Sequence, residues 1–238
     1  MITKQTIITE LKKLQDTDKA KLSASFFKTA PGEYGENDMF IGVTVPQQRA
    51  ISEKYVSEIS LAEIEKLLNE SIHEYRLTAL FLLVSKFEKA KSKSEQESVV
   101  ATYLDNICCV NNWDLVDSSA HKILGPYYFD KDKQLLYDFV ASGDLWKQRV
   151  AILTTFHFIK YKQFDDSLKI AKLLIHHHHD LIHKAIGWML REIGKIDYDV
   201  EYAFLKDHYT LMPRTMLRYA IEKFDEPLRQ QFLKGNVG

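Results

Sequence analysis

The sequence predicts an all-α protein built from stacked helical pairs, on three observations. Apolar residues recur at helical spacing along nearly the whole chain, and alternating strand patterns are almost absent. The 5 prolines and 9 glycines among 238 residues fall as punctuation between helical stretches. One theme also recurs, a second helix that opens with one or two cations and continues apolar. Its instances are Tyr75-Arg76-Leu77-Thr78, Lys147-Gln148-Arg149-Val150, His183-Lys184-Ala185-Ile186 and Arg214-Thr215-Met216-Leu217.

A period of roughly 40 residues is that of HEAT-like antiparallel helical pairs. The expected architecture is an α-solenoid whose second helices line a concave basic face. No domain boundary or low-complexity linker interrupts it, so residues 1–238 are expected to form a single HEAT-like helical-repeat domain.

Taken in order, Thr3–Asp16 is amphipathic, with Ile7, Ile8, Leu11 and Leu14 on one side and lysines on the other. A second helix is expected over Ala20–Thr29. The longest irregular stretch follows, Phe26 to Asp38, rich in turn-forming residues yet carrying Phe27 and Tyr34. Phe40–Val45 reads as a short extended piece, and Pro46 opens a helix at its first position. Further helices are expected at Pro46–Tyr55, Leu61–Glu70, His73–Glu88, Glu95–Ile107, Asn112–Leu124, Lys131–Ala141 and Leu145–Ile159. Phe164–His176, Asp180–Ile193, Val200–Tyr209, Pro213–Lys223 and Pro227–Lys234 complete the set.

Bulk properties exclude several classes. A net charge of −1 excludes a global polycation, so any nucleic-acid role needs a local basic patch. No run approaches the roughly 20 apolar residues of a membrane span. The N-terminus has no apolar core of signal-peptide length, and the expected compartment is the cytoplasm. The adjacent Cys108 and Cys109 read as free core thiols. Phosphate-loop, dinucleotide-binding, nucleophile-elbow and H-E-x-x-H motifs are all absent.

Four constellations stand out. In Asn111-Asn112-Trp113-Asp114-Leu115-Val116-Asp117, the asparagines suit a helix N-cap, and Trp113 and Asp117 fall one turn apart on one face. On pattern alone this is first a buried Trp with surface acids at a helix N-terminus, where acids are favourable. Around Trp188, Lys184 lies four residues before and Arg191 three after, on the same face. Gly187 costs roughly 1 kcal/mol mid-helix, which points to a packing or close-approach reason. Arg149 offers a guanidinium whose fork matches phosphate. The run His176–His179 lacks a recognised zinc spacing and reads as a polar connection.

Together these stretches resemble the AlkD-type DNA alkylation repair enzymes, HEAT-like alkylpurine DNA glycosylases. The matching residues are Phe26 to Glu36, Asn112 to Asp117, Trp146 to Arg149, Asp180 to Glu192 and Met212 to Ala220, in order along nearly the whole chain. The resemblance implies that Asp117 is the catalytic aspartate, that Trp113 and Trp188 cradle the lesion site, and that Arg149 contacts DNA. Phe27 falls where some members carry tyrosine, and Thr44 lies where some use glutamine near the lesion. Lys147, Lys184 and Arg191, with Arg214 and Arg218, are further candidates for phosphate contacts. The implied function is excision of cationic alkylated purines, 3-methyladenine and 7-methylguanine, from duplex DNA. A non-catalytic module binding damaged or branched DNA is the alternative, and a protein-binding solenoid with core aromatics a second. No metal or cofactor is expected. The expected partner is double-stranded DNA carrying alkylated bases, with no membrane partner, and the chain is expected to act as a monomer.

Overall fold

A computed structural model of the chain, described for residues 2–237, is all-helical. Its α-helices are α1 (Lys4–Lys12), α2 (Thr17–Phe26), α3 (Val45–Tyr55), α4 (Leu61–Leu68), α5 (His73–Lys89), α6 (Lys93–Asp105) and α7 (Trp113–Tyr128). There follow α8 (Gln134–Ala141), α9 (Leu145–Lys160), α10 (Asp165–Leu173), α11 (Asp180–Gly194), α12 (Tyr198–His208), α13 (Arg214–Ala220) and α14 (Glu226–Lys234). The chain packs as two compact units, Met1–Ser119 and Ala120–Gly238, and the boundary falls within α7.

In the first unit α5 is the central helix, packed by α3, α4 and α6. It is buried on every side from His73 to Val84, with Leu77, Leu80, Leu82 and Leu83 among its core residues. In the second unit each inner helix packs on the next. α9 touches α8, α10 and α11, and α11 in turn touches α9, α12 and α13. Contacts between successive neighbours are how an α-solenoid buries its core.

Gly187 explains itself here. A Cβ at this position would lie 2.4 Å from the Met216 carbonyl oxygen and 2.5 Å from Tyr219 Cβ, so its bare backbone sets the approach of α11 to α13.

Several expected boundaries shift for local reasons. α2 starts earlier than Ala20 because the Asp16 carboxylate accepts from the Asp18 and Lys19 amides, both at 3.1 Å. Phe40–Val45 is no strand. Met39 makes one isolated bridge with Ile72, while Gly42 turns at φ +79° and Val45 already begins α3. α7 runs on to Tyr128 through Pro126. Cys108 and Cys109 are free thiols but not core ones. Cys108 is exposed and Cys109 half-buried, because both sit in a short 3-10 turn rather than on an inward helical face. Among the described residues, no helix is long and apolar enough to cross a membrane.

The histidine run is a capping device. His179 Nδ1 accepts the Leu181 amide at 3.1 Å and so caps α11. His177 Nδ1 accepts the His179 amide at 3.0 Å, which leaves its Nε2 to donate to Gln148 Oε1 at 3.0 Å. No group of histidines, cysteines and carboxylates among the described residues is placed to hold a metal ion.

Candidate functional site

The first unit builds a polar cluster beneath an aromatic stack. The loop between α2 and α3 turns through Lys28, Gly32 and Asn37, all at positive φ, and delivers Asp38 against α5 and against Asn112, the residue before α7. Glu74 on α5 anchors the end of that loop by accepting from the amides of Ile41 and Gly42.

His73, the first residue of α5, is buried between two carboxylates. Its Nδ1 is 3.1 Å from Asp38 Oδ2 and its Nε2 is 2.8 Å from Asp114 Oδ2. Arg76, one turn on, pairs with the other oxygen of Asp38. Asn112 donates to Asp38 at 2.8 Å and accepts the Trp113 amide at 2.8 Å. Two acids thus stand against an imidazolium and a guanidinium.

Burial pushes the His73 pKa down, but hydrogen bonds and charge from Asp114 and Asp38 outweigh it and lift the imidazole to about 9. Burial likewise pushes Asp38 up, yet the His73 hydrogen bond, the Arg76 charge and Asn112 hold its carboxyl at about 2. His73 therefore stays protonated at neutral pH and can donate from both ring nitrogens.

The aromatics lie on this cluster. Phe27 stacks on Trp113 with centroids 5.2 Å apart and planes at 18°, and on Phe40 at 5.1 Å. Phe40 and Phe27 lie 4.6 and 4.9 Å from the His73 ring. Phe26, 65% exposed, meets the Trp113 ring edge-on at 5.8 Å. Trp113 is only half-buried, so its indole is not a sealed core residue. Asp117, also half-buried, follows one turn along α7. Phe27, Trp113 and Asp117 are thus assembled in one unit. Thr44 belongs to the same unit as the N-cap of α3, where its amide and hydroxyl both donate to Gln47 Oε1, at 2.9 and 2.8 Å.

The second unit carries the other candidates. Lys184, Trp188 and Arg191 form a half-buried stripe along α11 at helical spacing, opposite the buried Ile182, Ile186 and Ile193. Trp188 packs on Phe156 of α9, centroids 5.6 Å apart, and its Nε1 donates to Glu192 at 3.0 Å. Lys184 pairs with Asp180 at 2.6 Å, and Arg191 pairs with Glu222. Lys147 lies half-buried in the first turn of α9, whose N-cap is Asp144. Arg149 departs from the expectation of a groove-lining cation. It is 4% exposed and donates to the Leu181 carbonyl at the head of α11.

Asp38, His73 and Phe40 were not singled out by spacing, and Arg76, expected as an early cation of an apolar helix, is spent on Asp38. Asp114, expected as a surface acid at a helix N-terminus, instead lies against the buried His73.

Comparison with known proteins fits this picture. No curated protein matches the chain. A solved structure described as a predicted DNA alkylation repair enzyme from Enterococcus faecalis superposes with a TM-score of 0.70 at 19% identity, covering 89% of this chain and 97% of that one. At that identity the likeness establishes the fold. The family model for DNA alkylation repair enzymes matches residues 7–224, nearly the whole chain, and the protein therefore belongs to the DNA alkylation repair enzyme family.

Proposed function

We propose that the protein is a monofunctional DNA N-glycosylase that excises cationic alkylpurines, such as 3-methyladenine and 7-methylguanine, from double-stranded DNA. The observation that carries this reading is the half-buried Trp113 indole, stacked on Phe27, with the Asp117 carboxylate one turn along the same helix.

The chemistry suits those groups. N3- or N7-alkylation makes a purine cationic and weakens its glycosidic bond. As the bond breaks, positive charge develops on the sugar, as in glycoside hydrolysis. An ionised Asp117 stabilises that charge and orients the attacking water. An indole face attracts a cation by about 0.5–2 kcal/mol, depending on desolvation. The base departs neutral, so no general acid is needed to protonate it, and no metal or cofactor enters the reaction.

Trp188, on α11, is the further indole that the resemblance assigns to lesion recognition. Lys147, Lys184 and Arg191, each half-buried on α9 or α11, supply phosphate contacts. Arg149 fixes the head of α11 through the Leu181 carbonyl, and the DNA contact that the resemblance assigns to it would be made by the same guanidinium, which has more than one N–H to give. Thr44 and Phe27 act through the α3 cap and the aromatic stack. The protein is proposed to act as a monomer.

The test is charge selectivity. Duplexes carrying 7-methylguanine or a neutral lesion such as 1,N6-ethenoadenine are incubated with the protein, and free base is quantified. Release of the cationic base alone is expected. Tight binding of both duplexes without any release would replace the glycosylase with a non-catalytic DNA-binding module.

A further inference from the structure

The buried Asp38–His73–Asp114 cluster takes no part in the proposed chemistry, yet three of its connections lead to Trp113. We propose that His73 is a positioning residue: gripped by Asp38 on one side and Asp114 on the other, it sets the pose of the Trp113 indole. The inference rests on the proposed function only in treating that indole as the surface that meets the lesion.

Three connections carry it. Asp114 is the residue next to Trp113 in the first turn of α7, so the 2.8 Å contact from His73 fixes how that turn is rotated. Asp38 reaches Trp113 through Asn112, whose amide nitrogen donates to Asp38 while its oxygen takes the Trp113 amide. The third connection runs through the rings, since the His73 imidazole lies against Phe27 and Phe27 stacks on the indole. The contacts close a loop, and His73 is the one member that touches both carboxylates and the stack.

The charged neighbours are accounted for. Arg76 pairs with Asp38, and Glu74, next on α5, is committed to the Ile41 and Gly42 amides. Only a group that donates in two opposed directions satisfies Asp38 and Asp114 together, and a neutral imidazole has a single N–H. Outer groups that orient a working side chain matter because small misplacements are costly, on the order of 100-fold in rate for about 1 Å.

The test separates positioning from plain stability. In a chain carrying Trp146→Phe and Trp188→Phe, Trp113 is the sole indole, and its emission and acrylamide quenching are read with and without His73→Gln. In the chain with all its tryptophans, single-turnover release of 7-methylguanine and DNA affinity are measured for wild type, His73→Gln and His73→Lys.

His73→Gln is expected to red-shift the emission, to raise quenching, and to slow release by about 10- to 100-fold while leaving affinity within about threefold. His73→Lys, whose ammonium can donate to both carboxylates, should recover part of each change. A folded His73→Gln with wild-type emission, quenching and rate would overturn the proposal. So would a fall in rate and affinity together with an unchanged Trp113. If His73→Gln does not fold, Asp114→Asn, which keeps an acceptor but drops the charge, carries the same comparison. Absence of base release by the wild type would defeat the glycosylase reading alone, because the fluorescence readout decides the role of His73 without it.

Discussion

Alkaline pH should unfasten the first unit, by an amount the structure sets. His73 titrates at about 9 when folded, against an ordinary value near 6.5. At about 1.4 kcal/mol per unit, that difference makes its protonated form worth about 3 kcal/mol to folding. The folded pKa lies above the unfolded one, so the stabilisation is complete below pH 6.5 and fades as pH rises through about 9. Asp38 works in the other direction. Its pKa of about 2 lies below the ordinary 3.8, so its contribution is present above 3.8 and is lost as pH falls through 2. The two describe the same contacts and are not added. Urea unfolding of wild type and His73→Gln at pH 6 and pH 10 isolates the effect, because the other titrating groups cancel in the difference. The wild-type advantage should shrink by about 3 kcal/mol between the two. An advantage of equal size at both would refute the buried imidazolium.

Two further outcomes concern the second unit. Gly187→Ala should lower the thermal midpoint, because the added carbon meets a fixed backbone oxygen at 2.4 Å. An overpacking cost of about 1–3 kcal/mol outweighs a propensity gain of roughly 1 kcal/mol, and a stabilised variant would contradict the close approach of α11 to α13. Glu201 on α12 is 2% exposed, and burial pushes its carboxyl up to about 8, with only the Arg191 charge opposing. A raised acid weakens folding as pH climbs from 4.5 to about 8, so Glu201→Gln should exceed wild type in urea unfolding at pH 9 and match it near pH 5. A wild-type advantage at pH 9 would show that the carboxylate is paired.

The helices were legible because each buries a stripe that repeats with the turn of the helix. Their ends were less so, since caps decide them. Asp16 starts α2 and Ser92 starts α6 ahead of the expected Ala20 and Glu95, whereas α4 begins at the expected Leu61 behind its Ser60 cap. Trp113 and Asp117 were legible as a pair because both sit on one helix within a turn of each other. Asp38, His73 and Asp114 were not. They lie 35 and 41 residues apart, and only the path of the loop after α2 brings them together. Arg149 was ambiguous for a different reason. A cation early in an apolar helix reads the same whether its guanidinium ends in solvent or, as here, on the Leu181 carbonyl. The histidine run read as a polar connection, and it is one whose last ring, that of His179, caps the helix it precedes.

The central claim is that Asp117 stabilises a developing sugar cation. Single-turnover release of 7-methylguanine from duplex DNA by wild type and Asp117→Asn, alongside DNA affinity for each, tests it most directly. The wild type should release the base, and the variant should bind the duplex equally well but release it on the order of 100- to 1000-fold more slowly. Equal release by the two proteins would remove Asp117 from the reaction and contradict the account.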